Sequence, residues 1–377
     1  MRVMSVIPRT DPSLACWWRM DSVASALESY GHKIDFVHYG GREHAKWPGS
    51  QKSAGSHTYV VAPRPVIPFK HLRAVSNGSY QLVFANMQTA AIHSCLSRIA
   101  DVPLVVDFHG DIVAEFRIQS RPPRYSARVL LEYSRWKLAD LLSRYASTKI
   151  VCVSNKMMEV LGSQGVRRSK LIFAPNGVDL AFYNPTRAFD RKKIRESLGM
   201  SQSLVFGYLG GDARWQGVDM LLDAANRIKD DSCDFLFVGL STGAKSVGRL
   251  HVLPPVPRED TPSYYSACDV LVLPRPKHPA TEVASPTKFA EYAAMGKPIL
   301  TTNVGDPAAL VRKYSCGIVV QNDTSDALLQ GLQEMLAKPK SDLEQMGRQA
   351  RLLAEKEFDW RFIGARLNVA LGEITST

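Results

Sequence analysis

Short apolar runs rich in β-branched residues recur along this chain, and amphipathic stretches separate them. A strand buried on both faces reads as a continuous apolar run and its crossover as a helix with one apolar side, so the alternation calls for a parallel sheet covered by helices. The runs fall into two series. The first takes in residues 3–7, 33–39, 58–62, 82–85, 103–108, 149–153 and 171–174; the second takes in 204–209, 235–238, 251–253, 270–273, 298–301 and 317–320. At 377 residues the chain exceeds one ordinary core and suits two α/β domains. The turn-formers Pro175, Asn176, Gly177, Asn184 and Pro185 lie between the series, which predicts domains 1–185 and 186–357. A final stretch, 358–377, places Trp360, Phe362, Ile363, Leu367, Val369 and Leu371 at helical spacing.

Hydrophobic residues make up 45% and charged residues 22%, which sets aside disordered and fibrous classes. No apolar run reaches the ~18 residues of a membrane span and the opening run is too short for a signal peptide, so a cytoplasmic protein is expected. Six cysteines (Cys16, Cys95, Cys152, Cys233, Cys268, Cys316) stand apart without a CxxC pair or a histidine cluster, the pattern of free thiols and of no metal site. The formal charge of +11 is lopsided. Residues 1–190 hold 24 Lys+Arg against 14 Asp+Glu, while the remainder holds 23 against 22. Nucleic acid, an anionic membrane surface and an anionic substrate all fit that asymmetry.

The basic excess includes the stretch 116–149, where Arg117, Arg121, Arg124, Arg128, Arg135, Lys137, Arg144 and Lys149 interleave with Tyr125, Tyr133, Trp136 and Tyr145. Two readings stand: a basic helix lying on anionic lipid, or a solvated helix face with its aromatics in the core. No nucleic-acid recognition motif accompanies these residues, so no nucleic-acid partner is expected.

The first strand runs into Pro8-Arg9-Thr10-Asp11-Pro12, without the G-x-G-x-x-G turn of a nicotinamide dehydrogenase, and no G-x-x-x-x-G-K-[ST] loop occurs anywhere. Phosphate binding must use another element. The segment 285–298 supplies one: Ser285 suits an N-cap, Pro286 the first helical position, and Gly296 followed by Pro298 a stop. Free N–H groups at such a start, with Lys288 in the first turn, suit a diphosphate, and Glu291 one turn on can accept from both hydroxyls of a ribose. The bland alternative is a surface ion pair between Lys288 and Glu291.

Residues 285–299 fit the pattern SPxKxxEYxAxGKPI, through Ser285, Pro286, Lys288, Glu291, Tyr292, Ala294, Gly296, Lys297, Pro298 and Ile299. In this the chain resembles glycosyltransferase family 4, and the stretches 206–211, 217–224, 237–239 and 264–274 extend the resemblance over nearly the whole second domain. Residues 106–110, 151–154 and 175–179 carry it thinly into the first. The resemblance implies the GT-B architecture: two Rossmann-like, doubly wound parallel-sheet domains facing a cleft, with the C-terminal helix crossing back to the first domain. It implies a retaining, metal-independent, hexosyltransferase-like enzyme with no resident cofactor. The donor is a UDP- or GDP-linked sugar held by the second domain, and the acceptor is a glycan, lipid-linked or other hydroxyl held by the first.

Carried over by position, Glu291 binds the donor ribose, and Ser285, Pro286, Thr287 and Lys288 hold the diphosphate. Gly210, Gly211, Val238 and Gly239 line the same site, with Arg214 as an added cation. His109, Lys288 and Glu282 form the implied catalytic set. Three places depart from the family pattern. Gly211 and Gln216 stand where an Arg and a Lys are common, Val283 stands where the first Glu of a pair falls, with Glu282 as the nearest acid, and the loop from Pro12 to Arg19 lacks a glycine pair. Gly211 and Gln216 keep a non-catalytic GT-B subunit of a partner transferase in view, and a sugar-nucleotide epimerase of the same fold is the nearest enzyme rival. The basic first half favours an anionic or lipid-linked acceptor at the inner face of a membrane.

Overall fold

The computed structural model describes residues 1–7, 15–40, 51–54, 57–63, 78, 80–95, 100–119, 126–187, 189–200, 203–229, 232–241, 243 and 245–375. The chain divides into two compact units, Met1–Gly177 with Trp360–Thr377, and Val178–Asp359.

The first unit is built on an eight-stranded sheet. Its strands are β1 (Arg2–Ile7), β2 (Lys33–Gly40), β3 (Gln51–Ala54), β4 (His57–Pro63), β5 (Leu82–Asn86), β6 (Leu104–Phe108), β7 (Lys149–Cys152) and β8 (Leu171–Phe173). They lie in the order β3-β4-β2-β1-β5-β6-β7-β8, all parallel except the edge strand β3. On one side Val3, Leu82, Phe84 and Val105 meet Trp17, Met20 and Leu27 of the helix Ala15–Glu28. Ile363, Leu367 and Leu371 of the helix Trp360–Thr375 join the same core. Each of these three is buried and contributes about 1.5–3 kcal/mol by leaving water, which fixes the chain's last helix to the unit that holds its first strand.

The second unit carries a seven-stranded sheet of β9 (Leu204–Leu209), β10 (Cys233–Val238), β11 (Lys245–Val247), β12 (Leu250–Leu253), β13 (Val270–Leu273), β14 (Ile299–Thr302) and β15 (Gly317–Val320). Its order is β11-β12-β10-β9-β13-β14-β15, again parallel apart from the edge strand β11. In each sheet the strand order reverses at the first strand of the unit. That reversal opens a crevice at the carboxyl ends of the central strands, where ligands of doubly wound folds bind. Among the described residues no helix is long and apolar enough to cross a membrane.

The boundary lies at 177/178, before the 185/186 junction that the turn residues suggested. Val178 N donates to Phe358 O (2.8 Å) and Val178 pairs with Asp359, so the chain enters and leaves the second unit side by side. Tyr183 then packs into the core of that unit. The edge strands β3 and β11 were not foreseen, because QKSA and KSV are too polar to read as strands and gain their pairing only from the neighbour they fold onto.

Candidate functional site

At the carboxyl ends of β9, β10 and β12 lies a cavity of about 410 Å³. Leu209, Gly210, Gly211, Val238 and Gly239 form one side, Pro255, Val256, Thr261 and Tyr265 another, and Thr287, Lys288 and Glu291 the third. Two glycines make the floor possible. Gly210 takes φ 140° and Gly239 φ 99°; a Cβ on Gly239 would lie 3.1 Å from Gly210 O, and a Cβ on Gly210 would lie 2.5 Å from Lys288 Nζ.

The helix behind the third side runs Thr287–Ala294. Its cap is Pro286, with extended backbone (φ −67°, ψ 123°), and no side-chain hydrogen bond closes it, which moves the cap one residue on from Ser285. Pro286 has a φ that suits a helix but an extended ψ, so the helix starts at Thr287. The N–H groups of its first turn thus begin at Thr287, a residue that lines the cavity.

Lys288 is buried. Its Nζ donates to Tyr208 OH (2.8 Å) and to Gln216 Oε1 (3.0 Å) and sits 4.3 Å from the centre of the Tyr208 ring. Burial, and then the nearby charge of Arg275, push its ammonium down to about 7, against a smaller upward pull from Glu291. The amine therefore reaches, from the helix, the side chain at the place where the family pattern has its lysine.

Glu291 faces the same cavity from one turn further along. Oε1 accepts from Tyr183 OH (3.0 Å) and Oε2 from Tyr265 OH (2.7 Å), while Tyr183 OH lies 3.3 Å from Thr261 Oγ1. Burial, and then the Glu291 charge, push both phenols above their usual range, so each stays a donor. The surface ion-pair alternative does not describe this arrangement, since Lys288 is buried and Glu291 is held by tyrosines.

In the first unit a second polar cluster gathers at the carboxyl end of β6. The buried Arg19 guanidinium forks onto Asp107, Nε to Oδ2 (2.8 Å) and Nη2 to Oδ1 (2.7 Å). It also donates to Ala174 O, Pro175 O and Asn176 Oδ1. His109 Nε2 lies 2.9 Å from Asp107 Oδ2. Burial alone would raise the Asp107 carboxyl, but Arg19 and then His109 outweigh it and hold the group below the usual carboxylate range. Asp107 thereby orients the His109 ring, leaving Nδ1 as the ring's other polar atom.

The geometry thus brings Gly210, Gly211, Val238, Gly239, Thr287, Lys288 and Glu291 together. Ser285 and Pro286 adjoin the cavity in sequence without lining it, and Arg214 is exposed on the turn Arg214–Gln216. Glu282 turns elsewhere, since its Oε2 accepts from Gly305 N (3.1 Å) at the start of the helix Gly305–Tyr314. Val283, at the place of the missing acid, is buried. Sequence reading missed Tyr183, Tyr265, Tyr208, Arg275 and Arg19; a lone arginine within the apolar run Cys16-Trp17-Trp18-Arg19-Met20 was the available signal for the last. Arg121, Arg124, Tyr125 and the loop 8–14 lie outside the described residues. Among the described residues no group of three or more His, Cys, Asp or Glu could hold a metal ion.

Comparison with known proteins decides the family. The model for Glycosyltransferase Family 4 matches residues 18–182, and that for Glycosyl transferases group 1 matches residues 203–338. The chain is a glycosyltransferase, similar to family 4. A D-inositol 3-phosphate glycosyltransferase of Paenarthrobacter aurescens (strain TC1) is 27% identical over 312 residues, 76% of this chain and 71% of that protein. A Bacillus subtilis (strain 168) protein named as a teichuronic acid biosynthesis glycosyltransferase is 25% identical over 187 residues, so less than half of either chain is matched (47% of this one, 46% of that). Among solved structures, HepE of Anabaena in complex with UDP-glucose superposes with a TM-score of 0.73 at 18% identity, over 99% of this chain and 100% of that one. The fold is GT-B.

Proposed function

We propose that this glycosyltransferase moves a hexosyl group, with retention at the anomeric carbon, from a nucleoside diphosphate sugar on the second unit to a hydroxyl acceptor on the first. One observation carries the reading: a basic and an acidic side chain one helical turn apart, Lys288 and Glu291, face a glycine-floored cavity beside a helix start that no capping side chain closes. Glu291 takes the ribose diol. The first-turn N–H groups and Lys288 take the diphosphate and stabilise the charge that develops on it as the glycosidic bond breaks, without a metal ion.

Lys288 supplies the positive charge that Gln216 lacks, which favours an active enzyme over a non-catalytic subunit. Of the two candidate bases, uracil has the support of the HepE complex with UDP-glucose. His109, oriented by Asp107, is the group assigned to the transferred sugar. Arg214 and Glu282 receive no role. The relative named for teichuronic acid biosynthesis supports a polysaccharide or lipid-linked acceptor.

The test is product analysis. Incubation of the protein with UDP-glucose and candidate acceptors, in EDTA, should release UDP only when an acceptor is present, and proton NMR of the product should show the donor's anomeric configuration. Conversion of the donor sugar without any acceptor would establish the epimerase instead.

A further inference from the structure

The helix Ala127–Ala146 packs through one side and leaves the other uncovered. Inward, Tyr133, Trp136 and Ala139 meet Ile112 and Val113, and Tyr133 OH accepts from Arg117 Nη2 (2.7 Å). Outward, Leu130 and Leu131 (64% exposed each), Leu138 (55%), Leu141 (59%) and Tyr145 (90%) remain in solvent. Their spacing of three, four, seven and eight residues puts them on one stripe of the helix, about 22 Å long at 1.5 Å per residue.

At 100° per residue, Arg135 falls on one flank of this stripe and Lys137 on the other, both exposed. The two acids of the helix, Glu132 and Asp140, fall away from it, and Asp140 is buried against Arg144 (2.8 Å). Scattered surface leucines need no explanation, but four leucines and a tyrosine on one helix face do.

We infer that this face is a membrane-docking surface that lies in the interface of an anionic bilayer, leucines in the acyl boundary and Arg135 and Lys137 among the headgroups. The charge pattern selects this occupant. A second copy of the chain, pairing the same face about a two-fold axis, would bring one basic flank against another; anionic lipid meets apolar stripe and basic flanks at once. The helix belongs to the first unit, whose sequence also carries the excess of positive charge.

The experiment is co-sedimentation of the full chain with vesicles of phosphatidylcholine containing phosphatidylglycerol, and with phosphatidylcholine alone. Wild type should bind the anionic vesicles and bind the neutral ones at least tenfold less. Leu131→Glu/Leu138→Glu and Arg135→Glu/Lys137→Glu should each lose at least tenfold on anionic vesicles while keeping their circular dichroism and nucleoside diphosphate binding. Absence of wild-type binding, equal binding by the leucine variant, or a dimer in solution that the leucine variant dissolves would overturn the assignment.

A separate observation carries a second proposal, which rests on the ribose reading of Glu291. The geometry points to Tyr183 and Tyr265 as positioning residues that set the specificity for a ribose diol. Each carboxylate oxygen can accept about two hydrogen bonds. One tyrosine on each oxygen fixes the plane of the carboxylate and leaves one acceptor site per oxygen, the arrangement two adjacent hydroxyls require.

Calorimetry with UDP and 2′,3′-dideoxy-UDP on wild type, Glu291→Ala, Tyr183→Phe and Tyr265→Phe tests it, with GDP and its dideoxy analogue used if GDP is the ligand that binds. The phenylalanine variants should narrow the preference for the ribo form about tenfold and leave dideoxy affinity unchanged. An undiminished preference in both overturns the positioning role while Glu291→Ala still reports on the ribose reading; no preference in wild type overturns both.

Discussion

Lys288 offers the most quantitative prediction. Burial and then the charge of Arg275 push it down to about 7, so at pH 8 most of the lysine is uncharged. A diphosphate arriving against the amine favours the ammonium form and returns its pKa toward the ordinary lysine range. Lys288 must then take up most of a proton on binding at pH 8 and little at pH 6. The sign follows from the two states: the ligand prefers the protonated form, so the Lys288 contribution to affinity is full below pH 7 and falls as pH rises through 7 toward the pKa of the complex, about tenfold per unit.

Isothermal calorimetry of UDP binding at pH 8 in HEPES and in Tris reads the uptake directly. The difference in apparent enthalpy, divided by the difference in buffer ionisation enthalpy, gives the protons bound. Lys288→Met should abolish the buffer dependence and weaken UDP at pH 7 by about 10–150-fold, the loss of one charge-assisted hydrogen bond of about 1.5–3 kcal/mol. Heats at pH 8 that are the same in both buffers for wild type would refute the reasoning, since they would mean that Lys288 is either already charged or not used.

Other consequences are as definite. Glu291→Ala should lower kcat/KM by about 2–4 kcal/mol of transition-state stabilisation, and an unchanged kcat/KM would remove Glu291 from the site. Asp107→Asn leaves the Arg19 guanidinium buried without its carboxylate, so urea unfolding should show a loss of about 3–5 kcal/mol; an unmoved midpoint would contradict the account of that cluster. Gly210→Ala must displace the Lys288 amine and should weaken UDP without altering the first unit; wild-type affinity would show that the floor does not need its glycine. Turnover should be insensitive to EDTA, and inhibition by EDTA reversed by magnesium would sink the metal-free reading.

The parts of the site legible in the sequence are those that one local element carries. Lys288 and Glu291 share a helical turn between recognisable start and stop residues, and Gly210 and Gly239 each close a strong apolar strand. The tyrosines that hold Glu291 come from the connecting segment and from the helix Thr261–Ala267, and no periodicity ties them to it. Glu282 had only its sequence position to recommend it, and the fold gives its carboxylate to a helix start. The aromatic residues of 116–149 read equally well as core or as lipid contacts. In the structure Tyr133 and Trp136 pack inward while Tyr145 and the leucines stay outside, a division that composition cannot make but the phase of the helix does. The cap lies at Pro286 rather than Ser285 because Pro286 has an extended ψ of 123°, while its φ of −67° suits either conformation, so its ring does not mark the helix start.

The central claim is that the cavity floored by Gly210 and Gly239 is the donor site and that Glu291 defines it. Calorimetric titration of the purified protein with UDP, GDP, ADP and their glucose or mannose conjugates in EDTA, alongside Glu291→Ala, tests this most directly. One member of the panel should bind tightly to wild type and at least thirtyfold more weakly to the variant, roughly the lower bound of the 2 kcal/mol above. Binding that Glu291→Ala leaves intact, or no binding by any of them, would contradict it.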